Sequence, residues 1–553
     1  MRLDQIGDLW FKNAVGLCVD VETYLDSDGD GVGDFAGLAR QLDYIAGLGV
    51  TFLWLMPFYP SPGRDDGYDV SDFYGVDPRL GTLGDFADFL RAADTHGIKV
   101  VLDLVVNHTS DQHPWFQRAR RAPKGSPERD WYVWRDEPSD EPEGLAFPDK
   151  ETSNWQWDEK AGQYYLHRFY RFQPDLNIAN PVVRDEIARI IGFWLQLGVA
   201  GFRMDAVPFL LETSGLPETP DEDPKRWLRG LRAFAGRRRG EAMLLGEVNA
   251  ELHELMSYFG GPDGDGLQMQ FAFLLNQHLW LSLAREEAEP LETVIKNLPP
   301  LPTVNAWATF LRNHDELSLD KLTVAQREEV FAAFGPSKDM QMYGHGLRRR
   351  AATMLGGDGP RLRMAWSLML SLPGTPVIFG GDEIGMGENL AIDDRYAVRI
   401  PMQWSSGPAG DFTTVPEAIV RPQADGDFGV AAVNVAAQRR DPDSLLNWLE
   451  RLIRRRRETP ELGWGTSTLV QTRSPALFVH RCDWGTGTVV AAHNLSRSPV
   501  RERLALDPDV VAVDDLISDR DLRVSDGGVL DLRLEAYGRR WLRVRREGER
   551  RLS

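Results

Sequence analysis

The sequence predicts an α/β protein: a (β/α)8 TIM barrel with an excursion domain after the third strand and a C-terminal antiparallel β-sandwich. Short β-branched runs alternate with amphipathic helices along most of the chain, and eight such runs can be counted. Eight parallel strands are the number that closes this barrel. A doubly wound open sheet is the alternative, but no G-x-G-x-x-G motif opens a helix after the first run.

Each expected strand is a short apolar run that is followed by a turn and a helix. In chain order the runs span residues 14–19, 51–55, 99–106, 201–205, 242–247, a weak one near 269–273, 308–313 and 376–381. The helices show apolar residues at i, i+3, i+4 and i+7, the spacing of one buried face. One such face comprises Phe86, Phe89, Leu90 and Ala93 after a Thr82 N-cap, and another comprises Ile187, Ile190, Ile191 and Trp194.

Two stretches break the alternation and predict further domains. Between Asn107 and about Ile178 the sequence is rich in Pro, Trp and Tyr without a clear helix, and it is too long for an ordinary loop. After a helix at 444–458, strand-like segments alternate with turns. The predicted domains are residues 1–107 with 179–465 for the catalytic barrel, 108–178 for the excursion domain and 466–553 for the β-sandwich.

Composition and charge exclude several classes of partner. With 63 Lys and Arg against 83 Asp and Glu, the net charge is −20, which argues against nucleic acid or an anionic membrane as partner. The start lacks a signal-peptide pattern and no run reaches about 18 apolar residues, so we expect a cytoplasmic protein. A homo-oligomer is compatible with the sequence. Cys18 and Cys482 read as buried hydrophobes, and the run Arg454–Arg457 as a solvated helix end favoured by the dipole.

Three carboxylates follow three different expected strands. Asp205 ends GFRMD, Glu247 closes LLGE and Asp315 follows ATFLRNH, and the carboxyl ends of barrel strands carry active sites. Acetal cleavage with retention needs an ionised nucleophile and a protonated acid about 5 Å apart. Because strand residues alternate, Arg203 points to the same side as Asp205. We expect Arg203 to keep Asp205 ionised while Glu247, away from the guanidinium, keeps its proton.

At these residues the chain resembles the α-amylase family of retaining enzymes that act on α-glucosides (glycoside hydrolase family 13). The motifs DLVVNH, GFRMDAV, GE and RNHD occur in the family's order at 103–108, 201–207, 246–247 and 312–315. The resemblance implies the barrel fold, Asp205 as nucleophile, Glu247 as general acid/base and Asp315 as a stabiliser of the transition state. It also implies that three residues line the same sugar subsite: Arg203, His108 and His314.

Further sugar contacts are implied by the same resemblance. In RDDGY, Asp65 would grip the terminal glucose and Tyr68 would stack beneath it, which favours a closed pocket over an open polymer groove. Phe169 and Gln173 match the wall of the excursion domain, and Arg399 matches an arginine that helps to close the pocket. Ordinary packing is the alternative interpretation of each of these residues.

Several segments resemble the trehalose synthases of this family, the mutases that turn maltose into trehalose. They are FYPSP (58–62), NHTSDQHPWF (107–116), FLRNHDELSL (310–319), GLRRRAATML (346–355) and GDEIGMGENL (381–390). The sequence differs from that usual in trehalose synthases in the segments LCVDVETY and GEVNA. In addition, Ile400 replaces the Thr that usually follows the arginine at position 399. The implied reaction is isomerisation of maltose through a covalent glucosyl-enzyme, with some hydrolysis. An α-glucosidase or glucosyltransferase acting on another small α-glucoside is the main alternative, and a non-catalytic interaction protein of the same fold is a remote one.

The loop from residue 26 to 34 resembles the first half of a calcium-binding loop. Carboxylates alternate with glycines there, although position twelve is Gly37 instead of a glutamate. We expect a structural Ca²⁺, with Mg²⁺ as the alternative, held by Asp26, Asp28, Asp30, Asp34 and the carbonyl of Val32. A second calcium site at Asn107 and Asp175 is a weaker expectation, and no organic cofactor is expected.

Overall fold

The computed structural model describes residues 7–138, 145–147, 150–211, 223–525 and 527–549. Eight strands form a closed parallel barrel, in which each strand neighbours the one before and after it in sequence. This arrangement confirms the predicted barrel and rules out an open sheet. The strands are β1 (Gly16–Val19), β2 (Phe52–Leu55), β3 (Lys99–Leu104), β4 (Gly201–Met204), β5 (Met243–Gly246), β6 (Met269–Phe271), β7 (Ala306–Thr309) and β8 (Thr375–Phe379).

The chain divides into two compact units. The first comprises residues 1–9, 19–42 and 52–271, and it contains β2 to β6 together with the excursion after β3. The second comprises residues 10–18, 43–51 and 272–553, and it contains β7, β8, most of β1 and the C-terminal sheets.

The seventh strand lies earlier in the chain than expected. It was predicted at 308–313, but β7 begins at Ala306 and ends at Thr309, and all four of its residues are buried. Beyond it the chain turns into a loop, because Arg312 donates hydrogen bonds to the main-chain oxygens of Arg349 at 2.6 Å and Asp315 at 2.6 Å. Asp315 therefore lies in a loop that Arg312 shapes, several residues past the strand.

Sixteen α-helices are assigned within the described residues. Thr82 caps its helix with a capping box to Asp85, and the predicted face is buried, as is the face that contains Trp194. The helices are Phe35–Arg40, Leu42–Leu48, Leu83–Thr95, Pro114–Ala119, Pro181–Leu197, Val207–Leu210, Pro224–Arg238, Leu252–Ser257, Phe273–Arg285, Glu289–Asn297, Val324–Phe334, Ala351–Met354, Gly359–Ser371, Val435–Arg440, Leu445–Arg457 and Pro460–Trp464.

The excursion after β3 contains a small antiparallel sheet. Its strands are Trp134–Arg135, Gln163–Leu166 and Trp155–Asp158, with the second in the centre. The excursion also contains the helix Pro114–Ala119, although the sequence suggested no clear helix there. The helix forms because the His113 side chain accepts a hydrogen bond from Trp115 N at its start, where Pro114 presets the backbone.

The C-terminal region is antiparallel, as predicted. One sheet has six strands, in the order Thr466–Leu469, Leu477–Trp484, Gly487–Asn494, Arg539–Arg546, Val510–Asp515 and Arg520–Arg523. A second sheet pairs Val500–Ala505 with Val529–Leu534, and the two sheets share an apolar cluster that includes Val479, Leu504, Leu532 and Leu542.

A further small sheet lies between β7 and β8 in sequence. Its three strands are Leu317–Ser318, Gly346–Leu347 and Gln341–Met342.

Both cysteines, Cys18 and Cys482, are buried and lie outside any disulfide among the residues that the structure describes, as expected for small hydrophobes. In the part of the chain that the structure describes, no helix is both long and apolar enough to cross a bilayer.

Candidate active site

In the first unit, the candidate site is organised around Arg203, a buried residue of β4. Its Nη1 atom lies 2.8 Å from Asp103 Oδ1 and 2.5 Å from Asp205 Oδ1, and its Nη2 atom lies 2.8 Å from Glu247 Oε2. A guanidinium carries five N–H donors in a fixed plane, so one side chain can serve several carboxylates. The structure thus brings together Arg203 and two of the predicted catalytic carboxylates.

The register of neighbouring strands explains why these groups meet. Asp103 on β3 lies directly opposite Arg203 on β4. The register of β4 and β5 sets their carboxyl ends level, so Asp205 and Glu247 follow two adjacent strands side by side. The alternation of side chains within one strand can be predicted from local sequence, but the register between neighbouring strands cannot.

The prediction that Glu247 lies away from the guanidinium is wrong. The ion pair with Arg203 and a hydrogen bond from Ala206 N at 3.0 Å both favour the ionised form of its carboxyl group. The Glu247 side chain is 25% exposed, whereas that of Asp205 is 8% exposed. Of the two carboxylates, Glu247 is therefore the more accessible to a ligand.

Asp103 is a site residue that the sequence reasoning missed. Its Oδ2 atom accepts hydrogen bonds from Trp54 Nε1 at 3.2 Å and from the Tyr68 hydroxyl at 3.1 Å. Burial raises the pKa of Asp103 to about 6, against the opposite effect of Arg203. A signal was present, because Asp103 is a charged residue inside an otherwise apolar strand.

The residue that follows Asp205 has a strained backbone. Ala206 adopts the left-handed conformation with φ 49° and ψ 42°, which costs a non-glycine residue roughly 1–2 kcal/mol. This conformation accompanies the hydrogen bond from Ala206 N to Glu247. Strained residues of this kind cluster at functional sites.

The predicted sugar contacts in RDDGY lie on a tight turn. Tyr68 N donates to Asp65 O at 2.9 Å, and the two central residues have positive φ, 51° at Asp66 and 91° at Gly67. A Cβ atom at Gly67 would lie 2.7 Å from a backbone oxygen, so the turn requires glycine. The turn positions the Tyr68 hydroxyl against Asp103.

Gln173 is in direct contact with Asp65. Its Nε2 atom donates to Asp65 Oδ2 at 2.8 Å, and its Oε1 atom accepts from Tyr170 N at 3.1 Å. Both Asp65 and Gln173 are buried. The amide therefore links the excursion to the turn that contains Asp65.

His108 and Phe169 are also neighbours, with ring centroids 5.0 Å apart. His108 donates from Nε2 to Tyr68 O at 3.1 Å, and its Nδ1 atom lies 3.3 Å from Asn107 Nδ2. Burial lowers the pKa of His108 to about 4, so the ring is neutral near pH 7. Phe169 is half-buried, and it also makes edge-on contacts with the rings of Phe209 and Phe147, whose centroids lie 5.4 and 5.7 Å away.

In the second unit, Asp315 is the centre of a second charged group. Its Oδ1 atom lies 2.7 Å from Arg395 Nη1 and 2.7 Å from Arg399 Nη2, and its Oδ2 atom lies 3.0 Å from His314 Nε2. Arg399 Nε also donates to His314 O at 2.9 Å. The structure therefore brings together His314, Asp315 and Arg399, and it adds Arg395, which the sequence reasoning missed.

The segment that carries Arg395 and Arg399 is held by the three consecutive arginines Arg348–Arg350. Arg349 forms an ion pair with Glu388 at 2.8 Å. The other two donate to main-chain oxygens of Leu390, Ile392 and Val398 at 3.1, 2.6 and 3.0 Å. The segment GLRRRAATML thus has a structural role, which is to fix the two arginines that contact Asp315.

The predicted calcium loop brings three of its carboxylates together. Asp26, Asp28 and Asp34 each offer an oxygen within 4.8 Å of the others. Desolvation and the neighbouring carboxylates raise the pKa of Asp28. The predicted ligand Asp30 lies outside this group, and its Oδ1 atom accepts from Val32 N at 2.8 Å. Three converging carboxylates suit a hard cation.

The expected second calcium ligands are already neutralised. Asp175 Oδ2 lies 2.9 Å from Arg168 Nη1, and its Oδ1 atom accepts from Asn107 Nδ2 at 3.4 Å. A carboxylate that has a guanidinium counter-charge is a poor ligand for a second cation, which argues against a calcium ion at Asp175.

Comparison with known families identifies the chain. The profile described as "Alpha amylase, catalytic domain" matches residues 21–334 and 336–465, which is more than half of the sequence. The chain belongs to the α-amylase family. A "Sucrose hydrolase-like, C-terminal domain" matches residues 487–543. As a member of the α-amylase family the protein is an enzyme that acts on glycosidic bonds.

Relatives within the α-amylase family cover most of the chain. It is 43% identical over 499 residues to a trehalose synthase of Thermus thermophilus, an alignment that covers 88% of this chain but 51% of that protein. The chain thus spans about half the length of the Thermus relative. It is 41% identical over 510 residues to the trehalose synthase/amylase of Mycolicibacterium smegmatis, covering 89% of this chain and 85% of that protein.

Solved structures show the same architecture. A trehalulose synthase matches with a TM-score of 0.76 at 26% identity and covers 97% of this chain and 100% of its own. An α-amylase from H. orenii matches with a TM-score of 0.77 at 28% identity, with the same coverage.

Proposed function

We propose that this enzyme is a retaining α-glucosyl mutase that isomerises maltose to trehalose. The observation that carries the proposal is the group formed by Asp205, Glu247 and Arg203, taken together with relatives named trehalose synthase at 40–43% identity over most of this chain. The group supplies a nucleophile and an acid/base on adjacent strands. The relatives favour another sugar over water as the acceptor.

In the first half-reaction, Asp205 is the nucleophile and Glu247 is the acid. A carboxylate oxygen of Asp205 bonds to C1 of the glucosyl unit while the bond from C1 to the glycosidic oxygen breaks. The glycosidic oxygen takes the proton of Glu247 and leaves as a hydroxyl group of the second glucose. Glu247 must therefore be protonated when maltose is bound. A sugar that enters the pocket removes water from Glu247, and this loss of solvation favours the neutral acid.

In the second half-reaction, the released glucose attacks with its anomeric hydroxyl group. Glu247, now a carboxylate, takes the hydroxyl proton, the new C1–O bond forms and the bond to Asp205 breaks, which gives trehalose. If water attacks instead, the product is a second glucose. Glucose that is held in place acts as an intramolecular nucleophile with a very high effective concentration, so retention of glucose decides between mutase and hydrolase.

The remaining predicted residues have supporting roles in this proposal. Asp315, with its two arginines and His314, is the third carboxylate of the mechanism. Residues that bind the glucosyl unit are Asp65, Tyr68, His108, Phe169, Gln173 and Arg399. The excursion at 108–178 and the β-sandwich at 466–553 are the proposed accessory domains, and the cytoplasm is the proposed location.

A product time course tests the proposal. Purified enzyme is incubated with maltose alone, and trehalose, glucose and remaining maltose are resolved by chromatography, with Asp205→Asn as the inactive control. We expect trehalose to exceed glucose at early times. Glucose without trehalose would refute the mutase and support an α-glucosidase, an alternative that a 30% identical oligo-1,6-glucosidase of Parageobacillus thermoglucosidasius keeps open.

We further propose that the loop at 26–34 binds a structural Ca²⁺. Asp26, Asp28 and Asp34 would be the carboxylate ligands, because their oxygens converge and their mutual repulsion is relieved by a cation. Asp34 also caps the helix Phe35–Arg40 by accepting from Gly37 N at 2.7 Å. The ion would therefore stabilise the fold, with no step of the reaction assigned to it.

A further inference from the structure

Three arginines surround Trp448 in the C-terminal half of the chain. The guanidinium carbon of Arg539 lies 4.8 Å from the centroid of the Trp448 ring, and that of Arg363 lies 5.9 Å from it. Arg451 follows Trp448 by one turn on the helix Leu445–Arg457, and it donates to Pro442 O, next to the Asp443 O that accepts from Arg363. We call these four residues the Trp448 cluster.

None of the three arginines forms an ion pair with any residue that the structure describes. Arg363 donates to Asp443 O and Arg451 to Pro442 O at 3.1 Å, so both hydrogen bonds go to main-chain oxygens. Arg539 contacts the Trp448 ring. Each guanidinium therefore keeps N–H donors for a further acceptor.

This lack of acidic partners is local. In the strand Arg539–Arg546, the other arginines pair with Asp515, Glu461, Asp514 and Asp507, at 3.4, 3.2, 3.6 and 3.1 Å. In the run Arg454–Arg457, Arg454 and Arg455 pair with Glu450 and Asp519. The prediction that this run is a solvated face is wrong for Arg456, which is fully buried and donates to Gly374 O. The chain has 83 acidic residues, so the lack of acidic partners at the Trp448 cluster does not follow from its composition.

The arginines of the cluster also repel one another. Arg539 is half-buried, and burial together with the positive charges of Arg363 and Arg540 lowers its pKa to about 10. Asp515 and Glu535, the nearest acids that oppose this effect, are both paired with Arg540. A bound oxyanion would offset this repulsion.

We propose that the Trp448 cluster binds a phosphate group, either free or attached to a small sugar. Guanidinium groups bind phosphate oxygens through two parallel hydrogen bonds, and three of them suit a ligand of charge near −2 better than a carboxylate of charge −1. The guanidinium groups of Arg539 and Arg363 already lie close to the Trp448 ring. The cluster therefore recognises the charged phosphate group of the ligand.

Calorimetric titration with inorganic phosphate, at constant ionic strength set with chloride, tests the proposal. We expect saturable binding to the wild-type chain and at least a tenfold weaker Kd for Arg539→Gln and for Arg451→Gln. The exposed residue Arg451 gives a variant whose folding is not in question. Arg40→Gln removes the same charge from an exposed position on the helix Phe35–Arg40 and should leave the Kd unchanged.

Titration with glucose 6-phosphate and with glucose distinguishes the two sources of the phosphate group. Tighter binding of glucose 6-phosphate than of phosphate supports a sugar-borne group, and equal binding supports free phosphate. The proposal is overturned if the wild-type chain binds neither anion saturably, or if both cluster variants bind as tightly as Arg40→Gln does.

Discussion

Replacing Arg203 with lysine tests the organisation of the candidate active site. The guanidinium spans three carboxylates through two nitrogens, with contacts of 2.8, 2.5 and 2.8 Å. An ammonium group is a single point charge, so it can stay beside Asp103 and Asp205 only by giving up Glu247. A charged hydrogen bond contributes about 1.5–3 kcal/mol, and we expect the free energy of unfolding to fall by about that amount.

Turnover of maltose should also fall, by an amount that corresponds to about 2.7 kcal/mol of activation free energy. Without Arg203 Nη2, Glu247 loses the contact that fixes its position, and a misplacement of about 1 Å costs roughly a hundredfold in rate. Unfolding in urea, followed by fluorescence, measures the first effect, and initial rates with maltose measure the second. The control is Arg189→Lys, because Arg189 is 69% exposed in its pair with Glu186 and such pairs contribute about 0–1 kcal/mol. A variant Arg203→Lys that unfolds and turns over like the control would refute the reasoning.

Three further predictions concern single groups. Asp205→Asn should abolish turnover of maltose while the thermal transition persists, and residual rates near wild type would remove Asp205 as nucleophile. Chelation should lower the melting temperature of the wild-type chain, because a ligand at a hundredfold excess over its Kd stabilises the fold by about 2.7 kcal/mol; in Asp28→Asn the shift should be small, and an equal shift in both would exclude Asp28 as a ligand. Burial lowers the pKa of His113 to about 3, so between pH 6.5 and 3 the unfolded chain binds a proton that the folded chain excludes. Stability should therefore fall by up to about 1.4 kcal/mol per pH unit on acidification from this residue, and His113→Asn, which can still cap the helix, should unfold in urea with a weaker dependence on pH.

What the sequence predicted well depends on local patterns. The barrel strands are apolar runs bounded by turns, and the helix after Thr82 has its cap and its buried face in the expected places. The pairing of Arg203 with Asp205 follows from alternation within one strand. These features need no knowledge of which segments lie side by side.

What it missed depends on register and on distant segments. Asp103 faces Arg203 only because β3 and β4 pair in one register, and Glu247 reaches the same guanidinium only because β5 lies beside β4. Arg395 contacts Asp315 across 80 residues of sequence, within a segment that Arg348–Arg350 hold in place. A one-residue slip in register would move each of these side chains to another face, so local sequence could not specify them.

In the proposed reaction, the excess of negative charge around Arg203 stabilises the transition state. One guanidinium faces Asp103, Asp205 and Glu247, so it balances part of their charge and leaves the group anionic when all three are ionised. A neutral disaccharide gains little from that field, whereas the oxocarbenium-like transition state carries positive charge at C1 and gains much. Only interactions that are stronger in the transition state than in the ground state accelerate the reaction. In the proposed reaction Glu247 gives up its proton as the glycosidic bond breaks, so the negative charge that develops on it adds to the charge of Asp205 and Asp103 and stabilises the transition state selectively.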